Sequence, residues 1–275
     1  MERIQAAIQK AKEQRSGAEP VATPRRGAPL GSAPEAPRAA GGWEDLPAFS
    51  PDPDRMRRER IVSFERSDPA HMTFDMMRTK ILRMMVEKGW SSLAITSPTA
   101  ECGKTMSSLN LAFSFAQQKD SRTVLMDLDL RRPSVAETLG LTGRSDIEEF
   151  LRSGGETPAN FVRYGDGLAI GASLRPARNP AELLNHASCG AALARMKADL
   201  NPDTVIYDLP PMLTCDDVMA FLPNVDCVLL IAGAEISTVD EIDRCEHDLA
   251  QQTNVLGVVL NKCRYAGEEY GYGYY

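Results

Sequence analysis

The chain has 275 residues, 43% of them hydrophobic and 25% charged, which is ordinary for a globular protein and enough for one substantial core. Its 31 basic against 38 acidic residues give a net charge of −7, which argues against a broad nucleic-acid-binding face. The start MERIQAAIQK has no apolar signal core, and the longest apolar stretch, CVLLIAGA at 227–234, falls far short of the roughly 20 residues that span a bilayer, so a soluble, cytoplasmic protein is expected.

Residues 1–15 place Ile4, Ala7, Ile8 and Ala11 at helical spacing. So thin a stripe is a frayed surface helix or a docking element. Residues 16–60 carry eight prolines and five glycines and read as a disordered linker. Its end, RMRRER at 55–60, is a solvated basic run or a contact for anionic lipid or an acidic partner.

From 61 onward helices and apolar strands alternate. Helices are predicted over 71–88, 104–118, 133–139, 145–152, 186–199, 215–221 and 237–250. Strands are predicted over 92–96, 123–129, 168–172, 204–208, 227–233 and 255–261. Apolar strands separated by helices predict an α/β fold, a mostly parallel sheet with helices on both faces. Ligands bind such sheets beyond the carboxyl ends of the strands. The cysteines at 102, 189, 215, 227, 245 and 263 and the histidines at 71, 186 and 247 form no metal-ligand spacing; reduced core thiols are expected, and zinc is not supported.

Three strand ends carry chemistry. The first runs into SPTAECGKT and then a helix, so Gly103, Lys104 and Thr105 close a Walker A loop, although Pro98 stands where its leading glycine usually sits. Backbone N–H groups of Ala100, Glu101, Cys102, Gly103 and Met106 are placed to wrap a phosphate, Lys104 to offset its charge and Thr105 to hold Mg²⁺. The second strand ends LMDLDLRRP, where Asp127 and Asp129, two residues apart, are expected to face the same way over the phosphates. The fourth ends VIYDLPP, a Walker B element whose Asp208 reaches the metal directly or through water. In this order the three predict an ATP·Mg²⁺ site. The chain closes YAGEEYGYGYY, with five of its seven tyrosines at Tyr265, Tyr270, Tyr272, Tyr274 and Tyr275. So short a polar segment cannot bury five phenols.

This constellation resembles the bacterial tyrosine kinases of capsule and exopolysaccharide clusters, with their Walker A, the D-x-D-x-R motif called Walker A′, D-x-P-P and a C-terminal tyrosine cluster. NPAELLNH at 179–186 and GVVLNK at 257–262 are similar to further family segments, and the resemblance covers about 61–275. It implies a P-loop fold and an ATP-dependent kinase that phosphorylates its own tail. Asp127 would accept or orient the tyrosine hydroxyl and, with Thr105 and Asp208, serve the metal. Asp129 and Arg131 would organise the site, and Asn261 would contact adenine. The implied partners are a membrane polysaccharide co-polymerase that sets chain length and recruits the kinase to the inner face of the membrane, a phosphotyrosine phosphatase, and further copies of the chain. The family's ring motif E-x-x-R-x-x-R is reduced at 72–78 to Arg78, with Met72 and Asp75 at its other positions.

Two rivals stand beside it. Partition and septum-positioning ATPases share the fold, but their signature lysine would fall at Thr99. A non-catalytic protein with a sticky tail would not need Lys104, Thr105, Asp127, Asp129 and Asp208 together.

Overall fold

A computed structural model describes residues 42–65, 67–143 and 146–264, all within one compact unit spanning 40–275. The amphipathic segment 1–15 and the five tail tyrosines lie outside the described residues.

Seven strands make one sheet: β1 (Ser92–Ser97), β2 (Thr123–Asp127), β3 (Phe161–Tyr164), β4 (Leu168–Gly171), β5 (Thr204–Pro211), β6 (Cys227–Gly233) and β7 (Asn254–Asn261). Their order is β3-β4-β2-β5-β1-β6-β7, and every pairing except β3 with β4 is parallel. The helices are α1 (Pro53–Arg58), α2 (His71–Lys88), α3 (Lys104–Ala116), α4 (Val135–Leu139), α5 (Ile147–Ser153), α6 (Thr157–Asn160), α7 (Pro180–Asn185), α8 (Ala187–Leu200), α9 (Asp217–Phe221) and α10 (Val239–Ala250).

Alternation along the central strands divides the core into two layers, because successive side chains point to opposite faces. Leu93, Ile95, Leu125 and Ile206 face a layer that includes Leu109 and Phe113 of α3. Ala94, Val124, Met126, Val205 and Tyr207 face the other, with Phe150 of α5 and Leu193 and Met196 of α8. Both faces are thus covered, which is why these strands read as unbroken apolar runs.

Most predicted elements stand within two residues of their expected bounds. Two expectations about the fold fail. Residues 42–60, read as the end of a disordered linker, pack onto the domain: Trp43 and Leu46 enter one core layer and Met56 the other. Phe49 N donates to Arg163 O at 2.7 Å and Arg163 N to Pro47 O at 2.9 Å, so this strap lies against β3. Arg55 Nε donates to Thr138 O at 3.0 Å, satisfying a carbonyl at the end of α4. Proline content misleads here because a segment without periodicity can still insert single large apolar side chains. The second failure is β3 itself, four residues that pair antiparallel with β4 through a three-residue turn.

Arg78, the surviving arginine of the ring motif, turns inward. Its guanidinium reaches Asp75 at 3.0 Å and donates to Ser114 O on α3 at 2.6 Å. Among the described residues no helix is long and apolar enough to cross a membrane.

Candidate active site

Because β5 lies between β1 and β2, the loops that follow these three strands meet at one end of the sheet. The end of β1 is tied to the end of β5 by Thr96 Oγ1 to Pro210 O at 2.7 Å, and the P-loop to the segment after β5 by Leu213 N to Pro98 O at 3.0 Å. Two of its residues take left-handed backbone, Glu101 at φ 63° and Gly103 at φ 88°. Glycine does so freely, whereas glutamate bears a cost of about 1 kcal/mol. A Cβ on Gly103 would stand 2.3 Å from Asn261 Nδ2. That amide instead donates to Cys102 O at 2.9 Å, bracing the loop from beneath. The Cys102 thiol is buried against the Ser237 hydroxyl at 3.3 Å.

The P-loop opens α3 with Lys104, whose ammonium lies 2.7 Å from Asp129 Oδ2 and 3.9 Å from Asp208 Oδ2. Thr105 Oγ1 donates to Asp208 Oδ2 at 2.7 Å, and Ser108 Oγ donates to Asp208 Oδ1 at 3.0 Å. Burial opposes the Lys104 charge, but Asp208 and Asp129 outweigh it and hold the ammonium above its ordinary pKa.

The two carboxylates of the D-x-D motif do not share a face, contrary to the strand geometry expected of them. β2 ends at Asp127, two residues short of the predicted end, so the period-two rule no longer applies at Asp129. Asp127 turns beneath the site, where Oδ2 accepts from Ser134 N and Val135 N at 2.9 Å each and Oδ1 from Asp129 N at 3.2 Å. It has no exposed surface. Burial first, and then the facing Asp208, push its carboxyl up to about 7. Asp208 is raised as well, by burial, against the pull of Lys104, Thr105 and Ser108.

A cavity of about 470 Å³ opens above these groups. Of the residues expected to bind or act, Ala100, Glu101, Gly103, Lys104, Thr105, Met106, Asp129 and Arg131 line it. Asp127 and Asp208 lie under its floor, while Cys102 and Asn261 sit behind the loop. Arg131 is held from outside the motif: Nε and Nη2 each donate to the Asp217 carboxylate at 2.8 Å, and that carboxylate is fully buried. The Asp217 hydrogen bond raises the Arg131 pKa. Ser108, Ser134 and Asp217 were missed from sequence. Ser108 had a signal, lying four residues after Lys104 on the same helix face; nothing local separates Asp217 from an ordinary acid in the first turn of a helix.

The donor set suits a divalent cation shared with a ligand. Three carboxylates, Asp127, Asp129 and Asp208, surround one ammonium, and burial, with the excess negative charge adding to it, raises Asp127 and Asp208. No group of three or more acidic, histidine or cysteine side chains among the described residues encloses a metal by itself. A cation here would therefore take much of its coordination from phosphate oxygens.

Residues 93–270 match the CobQ/CobB/MinD/ParA nucleotide binding domain, and the chain belongs to that family of nucleotide-binding P-loop proteins. Within it, the chain falls with the bacterial tyrosine kinases. It is 29% identical over 230 residues to the tyrosine-protein kinase YwqD of Bacillus subtilis, covering 79% of this chain and 92% of that one. It is 30% identical over 189 residues to the tyrosine-protein kinase etk of Escherichia coli K12, covering 67% of this chain but only 25% of the relative. The solved kinase domain of the Escherichia coli tyrosine kinase ETK superposes with a TM-score of 0.66 at 28% identity, over 78% of this chain and 84% of that domain.

Proposed function

We propose that the protein is an ATP-dependent protein-tyrosine kinase whose acceptors are the tyrosines of its own C-terminal cluster, Tyr265, Tyr270, Tyr272, Tyr274 and Tyr275. The observation that carries this reading is the meeting of P-loop, D-x-D motif and Asp208 around a single cavity, in a chain that ends in those tyrosines. ATP would be held by the backbone of 100–106 and by Lys104, and Mg²⁺ by Thr105 and Asp208 with Asp127 behind them. When bound, ATP·Mg²⁺ supplies the phosphoryl group and neutralises much of its charge.

The chain's own residues do the rest. Lys104 leaves Asp129 for the phosphate, and its ammonium stabilises charge that develops during transfer. Asp129 is then the carboxylate on the cavity wall able to meet a phenol hydroxyl. Asp127, buried with three N–H donors, holds the turn at 127–135 and takes up charge beneath it. A free phenol has a pKa of about 10, so proton removal is needed, yet the loose transition state of phosphoryl transfer makes in-line positioning the larger contribution. From Lys262 the last 13 residues reach at most about 45 Å, enough to visit another copy's cavity.

As the family resemblance implies, the reading extends to regulation of exopolysaccharide or capsule polymerisation and export. A membrane co-polymerase would place the kinase at the inner face of the membrane, a phosphotyrosine phosphatase would reverse it, and copies would associate. Since Arg78 is engaged with Asp75 and Ser114, a ring would use other contacts. The test is phosphotyrosine formation by the full chain with ATP·Mg²⁺, beside Lys104→Met and a chain ending at 264. Both variants should lose the signal while melting cooperatively. Undiminished phosphotyrosine in Lys104→Met refutes the reading, and ADP release without any phosphotyrosine identifies a hydrolysis-only switch instead.

A further inference from the structure

The cations lining the cavity are Lys104, Arg131 and Arg132, and two of them are already engaged. Lys104 is paired with Asp129 at 2.7 Å and Arg131 with Asp217 at 2.8 Å. Arg132 differs. Its backbone N–H donates to Asp129 Oδ1 at 3.1 Å, which fixes the turn, but among the described residues its guanidinium makes no hydrogen bond or ion pair. Pro133 follows and restricts the backbone at Arg132 further. The result is an exposed guanidinium on a braced turn at the cavity wall.

Depth separates its role from that of Lys104. Lys104 is 9% exposed, on the floor where phosphates would lie, whereas Arg132 stands at the solvent-facing rim. A rim group meets what arrives from outside. The rim has a matching anion in Glu101, exposed on the cavity wall and without an ion pair among the described residues. An entering segment therefore meets one free positive and one free negative charge, and its own charges decide which way it lies.

We propose that Arg132 is a specificity-determining residue that selects tyrosines preceded by acidic residues, and that Glu268 and Glu269, immediately before Tyr270, are what it reads. This rests on the kinase reading above. Residues one and two before an acceptor tyrosine in extended chain lie within about 7 Å of its Cα. An arginine side chain spans a similar distance, so a carboxylate there can form a two-pronged pair with Arg132 while the phenol points toward Asp129. Such an exposed pair acts mainly on the encounter, and its effect fades with salt. Glu101 disfavours the opposite orientation by repelling the same acids.

The experiment measures phosphotransfer from ATP·Mg²⁺ by the full chain to three synthetic peptides: YAGEEYGYGYY, its Glu→Gln form YAGQQYGYGYY, and its Glu→Lys form YAGKKYGYGYY. The unaltered protein should prefer the first over the second by about fivefold in kcat/KM, chiefly through KM and only at low salt. Arg132→Ala should bring that ratio close to one. Arg132→Glu should invert it and prefer the lysine peptide. Retention of the acid preference in Arg132→Ala overturns the proposal, as does an equal fall in kcat on all three peptides, which would place Arg132 on the phosphoryl group. Failure of the unaltered chain to modify any peptide overturns the kinase reading itself.

Discussion

Replacing Asp127 by asparagine should make the ligand-free protein more stable at alkaline pH, although it alters a motif residue. Asp127 is fully buried opposite Asp208, and its carboxyl is pushed up from an ordinary 3.8 to about 7. A folded-state pKa above the unfolded one means that the native state binds the proton more tightly. The resulting stability is complete below about pH 4 and is lost as pH rises through about 7. For those two values the loss between pH 6 and pH 8 is about 1 kcal/mol. Asparagine cannot ionise and escapes that loss. It keeps an oxygen for Ser134 N and Val135 N but turns an N–H toward Asp129 N, at a pH-independent cost of about 1 kcal/mol. The assay is urea unfolding of both proteins at pH 6 and pH 8, free of magnesium and nucleotide. The variant should gain on the wild type by about 1 kcal/mol between the two pH values. An offset that is the same at both would refute the argument that burial opposite Asp208 raises the Asp127 carboxyl.

Other substitutions probe other parts of the site. Glu101→Gly removes a strained left-handed residue and a negative charge from the cavity wall, so stability should rise by about 0.5 kcal/mol. ATP should also bind about threefold more tightly in a low-salt titration, and unchanged affinity there would mean that the Glu101 carboxylate does not act on phosphate. Arg131→Ala strands the buried Asp217 carboxylate and should cost about 2 kcal/mol in denaturant unfolding. Adding Asp217→Asn should recover most of that loss, and failure to recover it would show that Arg131 contributes through packing alone.

Much of this protein follows from local pattern. The strands are apolar throughout because both faces of the sheet are covered, and such runs are visible without coordinates. The P-loop, the D-x-D motif and Asp208 were equally legible, since each must end a strand and the strand before it announces the place. Three matters were settled only in three dimensions. Asp127 and Asp129 look equivalent as a pair, yet one is sealed under the floor and the other stands on the cavity wall, because β2 stops at Asp127 and the chain turns there. Arg131 finds its buried partner in Asp217, 86 residues away, a distance no local rule spans. The proline-rich stretch at 42–60 lacks periodicity, and its apolar side chains Trp43, Leu46 and Met56 mean nothing until the sheet offers them two hydrophobic layers. Sequence determines, to within two or three residues, where these strands end and which residue types stand there, because those are nearest-neighbour properties. Which of those groups is buried, paired or left free to meet a ligand depends on the packing of segments far apart in the chain.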